Sequence, residues 1–137
     1  MALILKKTDD AFGMQVSNEK GLSIQMDASP DLGGKDSGMR PMEVLASSLA
    51  GCISVDVILI LRKQRIELNH YHVVIDAKRA EGVPAPFETI HLTFEFSKNV
   101  DPDKAERAVK LAKEKYCSVS ASLHPDITIT HEIRFIK

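Results

Sequence analysis

The sequence predicts an α+β fold with the element order βββ-α-ββ-α-β and mainly antiparallel strand pairing. Several segments place apolar residues at every second position, and two others show helical spacing. The composition supports a folded chain, because 44% of the 137 residues are hydrophobic and 27% are charged. The length favours one domain over residues 1–137.

The first 28 residues predict three short antiparallel strands. Apolar residues alternate in three runs, which are separated by acidic or glycine-containing turns: Leu3–Leu5, Phe12–Val16 and Leu22–Met26. A loop from Asp31 to Pro41 follows. It contains Gly33-Gly34-Lys35 but lacks the GxxxxGK[ST] spacing of a phosphate-binding loop, so we expect no nucleotide site there.

A long helix is predicted to begin near Pro41, which suits a first helical turn. Its central sequence, VLASSLAGCISVDVILIL, contains one charge, Asp56. A membrane span would fit its apolar character, but Asp56, the serines and the lack of a second apolar span favour a buried helix of about 35 Å. A 15.1 kDa chain can hardly cover such a helix, so we expect a homodimer.

The second half of the chain predicts two strands, a helix and a last strand. The strands comprise Tyr71–Ala77 and Ile90–Phe96, expected as an antiparallel pair, and about Ile127–Ile136. The helix between them begins at an Asp101 cap with Pro102 in its first position. Its apolar residues follow helical spacing, so it should cover one face of a sheet.

The charge balance argues against several partners. The net charge of −1 comes from 18 basic and 19 acidic residues, and aromatic residues make up 5%, so nucleic-acid binding is not expected. The start, MALILKKTDD, has too short an apolar run for a signal peptide. Two distant cysteines without such a signal predict a cytoplasmic protein with free thiols.

Cys52 lies in the apolar helix, and Cys117 precedes a stretch that could form a short helix, Ser118–Leu123. A thiol at a helix start is expected to favour the thiolate form, although a lone buried cysteine is more often a small hydrophobic residue. Arg40 could fold over Cys52, with Glu43 as the carboxylate that orients it. On one straight helix, however, Glu43 lies opposite Cys52. It would then reach the thiol only if the helix began later or through a partner chain.

Other ionisable residues suggest structural roles. Asp56 shares the helix face of Cys52 and is expected to form a buried ion pair. The pair His70-x-His72 points to one face of a strand, but CxxC spacing is missing and further ligands are not evident, so we expect no metal. His131 lies among apolar residues and predicts a hydrogen-bonded core or interface histidine, whereas His124 could approach the thiols.

Two motifs resemble the OsmC/Ohr superfamily: GMRPMEVLASSLAGC resembles its helix signature, and YCSVSASL its second cysteine motif. The resemblance covers nearly the whole chain. It implies an intertwined homodimer with antiparallel sheets around long central buried helices. It also implies reduction of organic hydroperoxides, with Cys52 as the attacking thiolate and Cys117 as the resolving thiol. A dithiol donor, for which a lipoylated protein is one candidate, would regenerate the thiols. No metal, organic cofactor, nucleic acid or membrane is expected to take part.

The chain departs from the better characterised peroxidase branches of the family. Met42 stands directly after Pro41, where those branches have the acidic residue, and Glu43 comes one position later. The N-terminal strands contain no arginine, so Arg40 is the candidate substitute. The pattern looks more like the less characterised branch. Two alternatives therefore stay open: a binding protein for an apolar small molecule at the dimer interface, and a thiol sensor without turnover.

Overall fold

The computed structural model describes residues 1–136, and the predicted order of the main elements is confirmed. The strands are β1 (Ile4–Lys7), β2 (Met14–Ser17), β3 (Ser23–Met26), β4 (Tyr71–Arg79), β5 (Phe87–Ser97) and β6 (Thr128–Ile136). The helices are α1 (Pro41–Lys63), α2 (Pro102–Leu111) and α3 (Ser118–Ser122). The chain divides into two compact units, residues 1–45 and residues 46–136. That residues 1–137 act as one domain stays a prediction.

The first unit is built around an antiparallel sheet with the strand order β1-β2-β3. Leu5 lies opposite Val16, which lies opposite Ile24, so the predicted apolar alternation places these side chains in one row. Leu5 and Ile24 are nevertheless exposed in the single chain. Three strands of four residues have little stability by themselves unless another surface covers their apolar side chains.

Asp27 fixes the loop that leads to α1. Its buried carboxylate accepts hydrogen bonds from the backbone N–H groups of Ala28 (2.7 Å), Lys35 (3.0 Å) and Ser37 (3.0 Å), and from the Ser37 hydroxyl (2.7 Å). The hydrogen bonds from Ser37 contribute most to lowering the pKa of Asp27 to about 2. The Asp27 carboxylate thus holds the glycine-containing loop in place, although no sequence motif marks this residue.

Two loop glycines are required by close packing of the backbone. A Cβ atom on Gly34 would lie 1.9 Å from the carbonyl oxygen of Ala28, and one on Gly38 would lie 2.6 Å from the carbonyl carbon of Gln25. Any side chain at these positions would therefore displace the backbone beside β3. Close packing of the backbone therefore accounts for both glycines.

Helix α1 has 23 residues and buries one stripe of small and branched side chains: Ala46, Leu49, Ala50, Ile53, Val57 and Leu61. Val55 and Leu59 lie outside this stripe and are 59% and 43% exposed in the single chain. By length and composition α1 could cross a membrane, but a third of its most apolar window is already buried within the structure. Core helices of soluble proteins have the same character.

The second unit contains a sheet with the strand order β4-β5-β6. Strands β4 and β5 are antiparallel, as predicted, but β5 and β6 are parallel, which corrects the expectation of antiparallel sheets. The reason is the connection between β5 and β6, which includes α2 and α3 and is long enough for the crossover that parallel neighbours require. Four side chains of the central strand are fully buried: Ile90, Leu92, Phe94 and Phe96.

The predicted start of α2 is confirmed. The Asp101 side chain accepts a hydrogen bond from the backbone N–H of Lys104 (3.1 Å), and Pro102 occupies the first turn. The apolar face of α2 is fully buried at Ala105, Ala108 and Val109.

His131 of β6 is hydrogen-bonded, as the sequence predicted. Its Nδ1 lies 2.7 Å from Lys113 Nζ, and its Nε2 lies 2.9 Å from Glu106 Oε1. Because an ammonium group only donates and a carboxylate only accepts, Nδ1 is the acceptor and Nε2 the donor in these two contacts. His131 therefore joins α2 and the turn after it to the sheet.

Candidate functional site

A π-helical turn, Ala112–Tyr116, follows α2, and Cys117 comes directly after it. The backbone of Cys117 is extended (φ −76°, ψ 108°), and α3 begins at the next residue. Cys117 is thus the N-cap of α3, and its Sγ accepts a hydrogen bond from the backbone N–H of Ser120 (3.2 Å). The predicted short helix after Cys117 is confirmed. The π-helical turn, of a kind often found at functional sites, had no signal in the sequence.

Cys52 lies on α1, where it is half-buried, whereas Cys117 is 5% exposed. The two thiols are neighbours that influence each other electrostatically, and both are free. The structure thus brings together the two sulfur atoms that the sequence singled out. Two thiols in contact can be joined as a disulfide when one of them is oxidised.

The environment of Cys117 keeps it in the thiol form. Burial is the largest influence and raises its pKa above the ordinary value of 9.0, while the hydrogen bond from Ser120 N–H acts in the opposite direction. The neighbouring Cys52 thiol raises the pKa of Cys117 further. The expectation that the helix start favours a Cys117 thiolate is therefore wrong, because desolvation outweighs the backbone donor.

Arg40 and Glu43 interact with each other at the start of α1. The Arg40 backbone N–H donates to Glu43 Oε1 (2.8 Å), and the Arg40 carbonyl accepts from the N–H of Val44 (3.0 Å). The contact between the Arg40 N–H and a glutamate three residues later is one half of a capping box. Because α1 already begins at Pro41, a later helix start cannot bring Glu43 to the face of Cys52. The route through a partner chain stays a prediction.

The Arg40 guanidinium is held within its own loop. It forms an ion pair with Asp36 and donates to the carbonyl oxygen of Gly38 (3.1 Å). The hydrogen bond with Asp36 is the main reason why the pKa of Arg40 is raised. A role for Arg40 beside a thiol remains a prediction, and it would require this guanidinium to serve two partners or to exchange them.

Two further expectations concern Asp56 and His124. Asp56 is half-buried, and no cation among residues 46–136 lies within ion-pair distance of it, so the predicted buried ion pair is missing from that unit. His124 is largely exposed and accepts a hydrogen bond from the backbone N–H of Asp126 (3.1 Å). Its partner is local, and an approach of His124 to the thiols stays a prediction.

Tyr71 of β4 is a residue near the site that sequence reasoning missed. Its hydroxyl lies 2.7 Å from the hydroxyl of Ser54, which is two residues after Cys52 on α1. Burial raises the pKa of Tyr71 to about 12. This bond fixes the helix that carries Cys52 against the sheet. A buried tyrosine needs such a partner, but the sequence cannot show which one it finds.

Comparisons with known proteins agree with this architecture. A family model described as OsmC-like protein matches residues 34–132. Protein YhfA of Escherichia coli strain K12 is 35% identical over 102 residues, which cover 74% of this chain and 76% of that protein. A hypothetical protein from Aquifex aeolicus VF5 is 30% identical in sequence, with a TM-score of 0.80 over 99% of this chain and 97% of that one.

A more distant structure shares the fold and has a functional name. The organic hydroperoxide resistance protein OhrB of Bacillus subtilis is 17% identical, with a TM-score of 0.67 over 97% of this chain and 96% of that one. At this identity the likeness shows the fold alone. The family model and the relative from Escherichia coli, together with the α+β architecture, show that the chain belongs to the OsmC-like family.

Proposed function

We propose that this protein is a thiol-dependent peroxidase that reduces organic hydroperoxides. The observation that carries the proposal is that the Cys52 and Cys117 thiols are neighbours. Membership in a family with structural neighbours named for organic hydroperoxide resistance supports it. Hydrogen peroxide is a second candidate substrate of the same chemistry.

In the first step the Cys52 thiolate attacks one peroxide oxygen. The O–O bond breaks, its electron pair leaves with the other oxygen, and that oxygen takes up a proton to become an alcohol. Cys52 becomes a sulfenic acid, so the sulfur is oxidised by two electrons and the peroxide is reduced by two.

In the second step Cys117 attacks the Cys52 sulfenic sulfur. An S–S bond forms, the S–O bond breaks, and the hydroxyl leaves as water with the proton given up by Cys117. The different environments of the two sulfurs support this division of roles. Cys52 is the more exposed and is therefore better placed to meet a substrate. Burial raises the pKa of Cys117 and so favours its thiol form before the second step.

A dithiol must then reduce the disulfide by thiol–disulfide exchange, which leaves the donor oxidised. We propose a cytoplasmic dithiol donor, with a lipoylated protein as one candidate, because both cysteines are otherwise typical of a reduced compartment. The two protein steps need no metal and no organic cofactor.

We further propose that the protein is a homodimer. In the single chain, apolar side chains are exposed both on α1, at Val55 and Leu59, and on the N-terminal sheet, at Leu5 and Ile24. A second copy would bury them and would give Arg40 and Glu43 a route to the thiol of the other chain. Sedimentation analysis should find a dimer, and a monomer at micromolar concentration would contradict this.

The peroxidase proposal is tested by titrating the reduced protein with cumene hydroperoxide while free thiols and intact mass are followed. One equivalent should consume both thiols and lower the mass by two hydrogens per chain, and dithiothreitol should restore the thiols. A disulfide that forms but supports no repeated turnover with excess dithiol would instead indicate a sensor. Unchanged thiols at excess oxidant would refute the proposal.

One observation favours the alternative of a small-molecule binding protein. A cavity of about 650 Å³ lies at the end of α1 in the second unit and does not include either cysteine. Its lining is mixed apolar and polar: Ile58, Arg62, Ile66, Glu67, Leu68, Asn69 and Tyr71. Binding of an apolar dye that Ile58→Trp abolishes, in a protein with unreactive thiols, would support this second function.

A further inference from the structure

Three metal-ligating side chains, none of them a cysteine, converge at the beginning of β4. His70, His72 and Glu95 each offer one ligand atom, and these atoms all lie within 4.8 Å of one another. The backbone explains the cluster. His72 lies directly opposite Glu95 in the antiparallel pair β4–β5, and His70 precedes His72 by two positions, so all three side chains are directed to the same side.

The ladder extends one step beyond β4 and holds His70 in place. The His70 carbonyl accepts a hydrogen bond from the backbone N–H of Ser97 (3.1 Å). The two imidazole rings lie close together, with centroids 4.0 Å apart and planes inclined by 44°.

One ligand atom of the cluster lacks the hydrogen bond that a buried nitrogen normally makes. His70 Nε2 is buried and has no hydrogen-bond partner among residues 1–136. It lies 3.5 Å from Glu95 Oε1, which is longer than a charge-assisted hydrogen bond. A buried nitrogen without a partner is unfavourable, and a bound cation shared with the carboxylate would remove that cost.

We propose that His70, His72 and Glu95 form a binding site for a divalent transition metal ion of the Zn²⁺ type. Two imidazole nitrogens and one carboxylate oxygen are a donor set that such borderline cations take in proteins, with the remaining position left for water or another ligand. Mg²⁺ and Ca²⁺ prefer oxygen ligands and are a poor match. This inference replaces the sequence-based expectation of no metal.

The surrounding charges are compatible with a cation. Arg134 of β6 lies in register with Glu95, but its guanidinium is largely exposed and lies 3.7 Å from Glu132, another carboxylate on the same sheet. Its charge is thus partly balanced there. A bound ion would join the segment before β4 to β5, and the site would be independent of the thiol chemistry because it contains no cysteine.

The test measures Zn²⁺ binding by equilibrium dialysis of the full chain. Because thiolates also bind zinc, the starting protein carries Cys52→Ser and Cys117→Ser. We expect one Zn²⁺ per chain, and we expect His72→Gln or Glu95→Gln to weaken binding about tenfold or more, since loss of an outer-shell partner alone has that effect. The matched control is His91→Gln. His91 lies on the same sheet, 3.1 Å from Glu132, without a second histidine, and its loss should leave the affinity unchanged.

A second measurement avoids variants that fail to fold. Adding Zn²⁺ to the isotopically labelled cysteine-free protein should shift the ring NMR signals of His70 and His72 and leave those of His91 and His131 in place. Failure of the cysteine-free protein to bind Zn²⁺ would overturn the proposal. Equal loss of affinity in the His91 and His72 variants would do the same, since binding would then be non-specific.

Discussion

The thiol of Cys117, at the N-cap of α3, has the thiol of Cys52, in the middle of the long helix α1, as a neighbour that raises its pKa. The environments of the two thiols are different. Cys117 is buried and kept protonated, whereas Cys52 is partly open to solvent. This asymmetry gives the two proposed roles a physical basis, because the open thiol can meet a peroxide and the buried one can meet only its neighbour.

The two cysteine variants should separate the roles. Cys52→Ser should abolish consumption of cumene hydroperoxide, because the attacking sulfur is gone. Cys117→Ser should still consume about one equivalent and stop at a sulfenic acid, which dimedone labelling with mass spectrometry detects. Equal first-turnover rates for Cys52→Ser and the unaltered protein would show that the assignment is wrong.

Disulfide formation should accelerate with pH. The resolving step requires the Cys117 thiolate, and burial raises the pKa of Cys117 above 9.0. Below that pKa the thiolate fraction, and hence the rate, should rise about tenfold per pH unit. Stopped-flow measurement of disulfide formation between about pH 6 and pH 9 should show no plateau. A plateau near neutral pH would mean that Cys117 ionises more easily than its burial implies.

Glu43→Gln should distinguish capping from catalysis. A glutamine can still accept the hydrogen bond from the Arg40 N–H, so helix stability should hardly change. The substitution removes the negative charge, however. If Glu43 orients Arg40 toward the thiol of a second copy, the first oxidation step should slow by about tenfold. An unchanged rate of peroxide reduction, with unchanged urea unfolding, would restrict Glu43 to the cap.

Asp27 should make the stability of the first unit depend on acid pH. Its folded pKa of about 2 lies below the ordinary value of 3.8, so its contribution is fully present above about pH 4 and is lost as the pH falls toward 2. Asp27→Asn should lower the unfolding temperature at neutral pH, and the difference from the unaltered protein should shrink below about pH 4. The control is Asp31→Asn. Asp31 is an exposed carboxylate nearby, so this substitution should have little effect.

The hydroxyl pair Tyr71 and Ser54 should contribute to fixing α1 on the sheet. Tyr71→Phe and Ser54→Ala each remove one partner of this hydrogen bond. Each substitution should lower the free energy of unfolding by about 1 kcal/mol. The double variant should lose less than the sum, because the two substitutions remove one shared bond. Urea unfolding of the four proteins measures this coupling, and strict additivity would show that the bond has no net value.

The sequence predicts most of the helices and strands, because local residue patterns determine where these elements form. Period-two alternation placed the strands, and Pro41, Asp101 and Pro102 marked helix starts through their backbone preferences. The short helix after Cys117 was also foreseen. The parallel pairing of β5 and β6 was not, since two strands with the same pattern can pair in either direction until the connection between them is folded.

The candidate site required information from residues far apart in the sequence. The motifs identified both cysteines, but their contact, the burial that raises the pKa of Cys117, and the Ser54–Tyr71 bond depend on how α1 and the sheet pack. Glu95 joins His70 and His72 for the same reason, because strand register alone places it opposite His72.

The sequence by itself determined the elements, the family resemblance and which side chains have the chemistry, because these follow from residue type and spacing along one segment. Only the tertiary structure decided which of those side chains meet and how strongly they are desolvated. Contact and burial depend on segments distant in the chain, and short-range preferences contain no information about them.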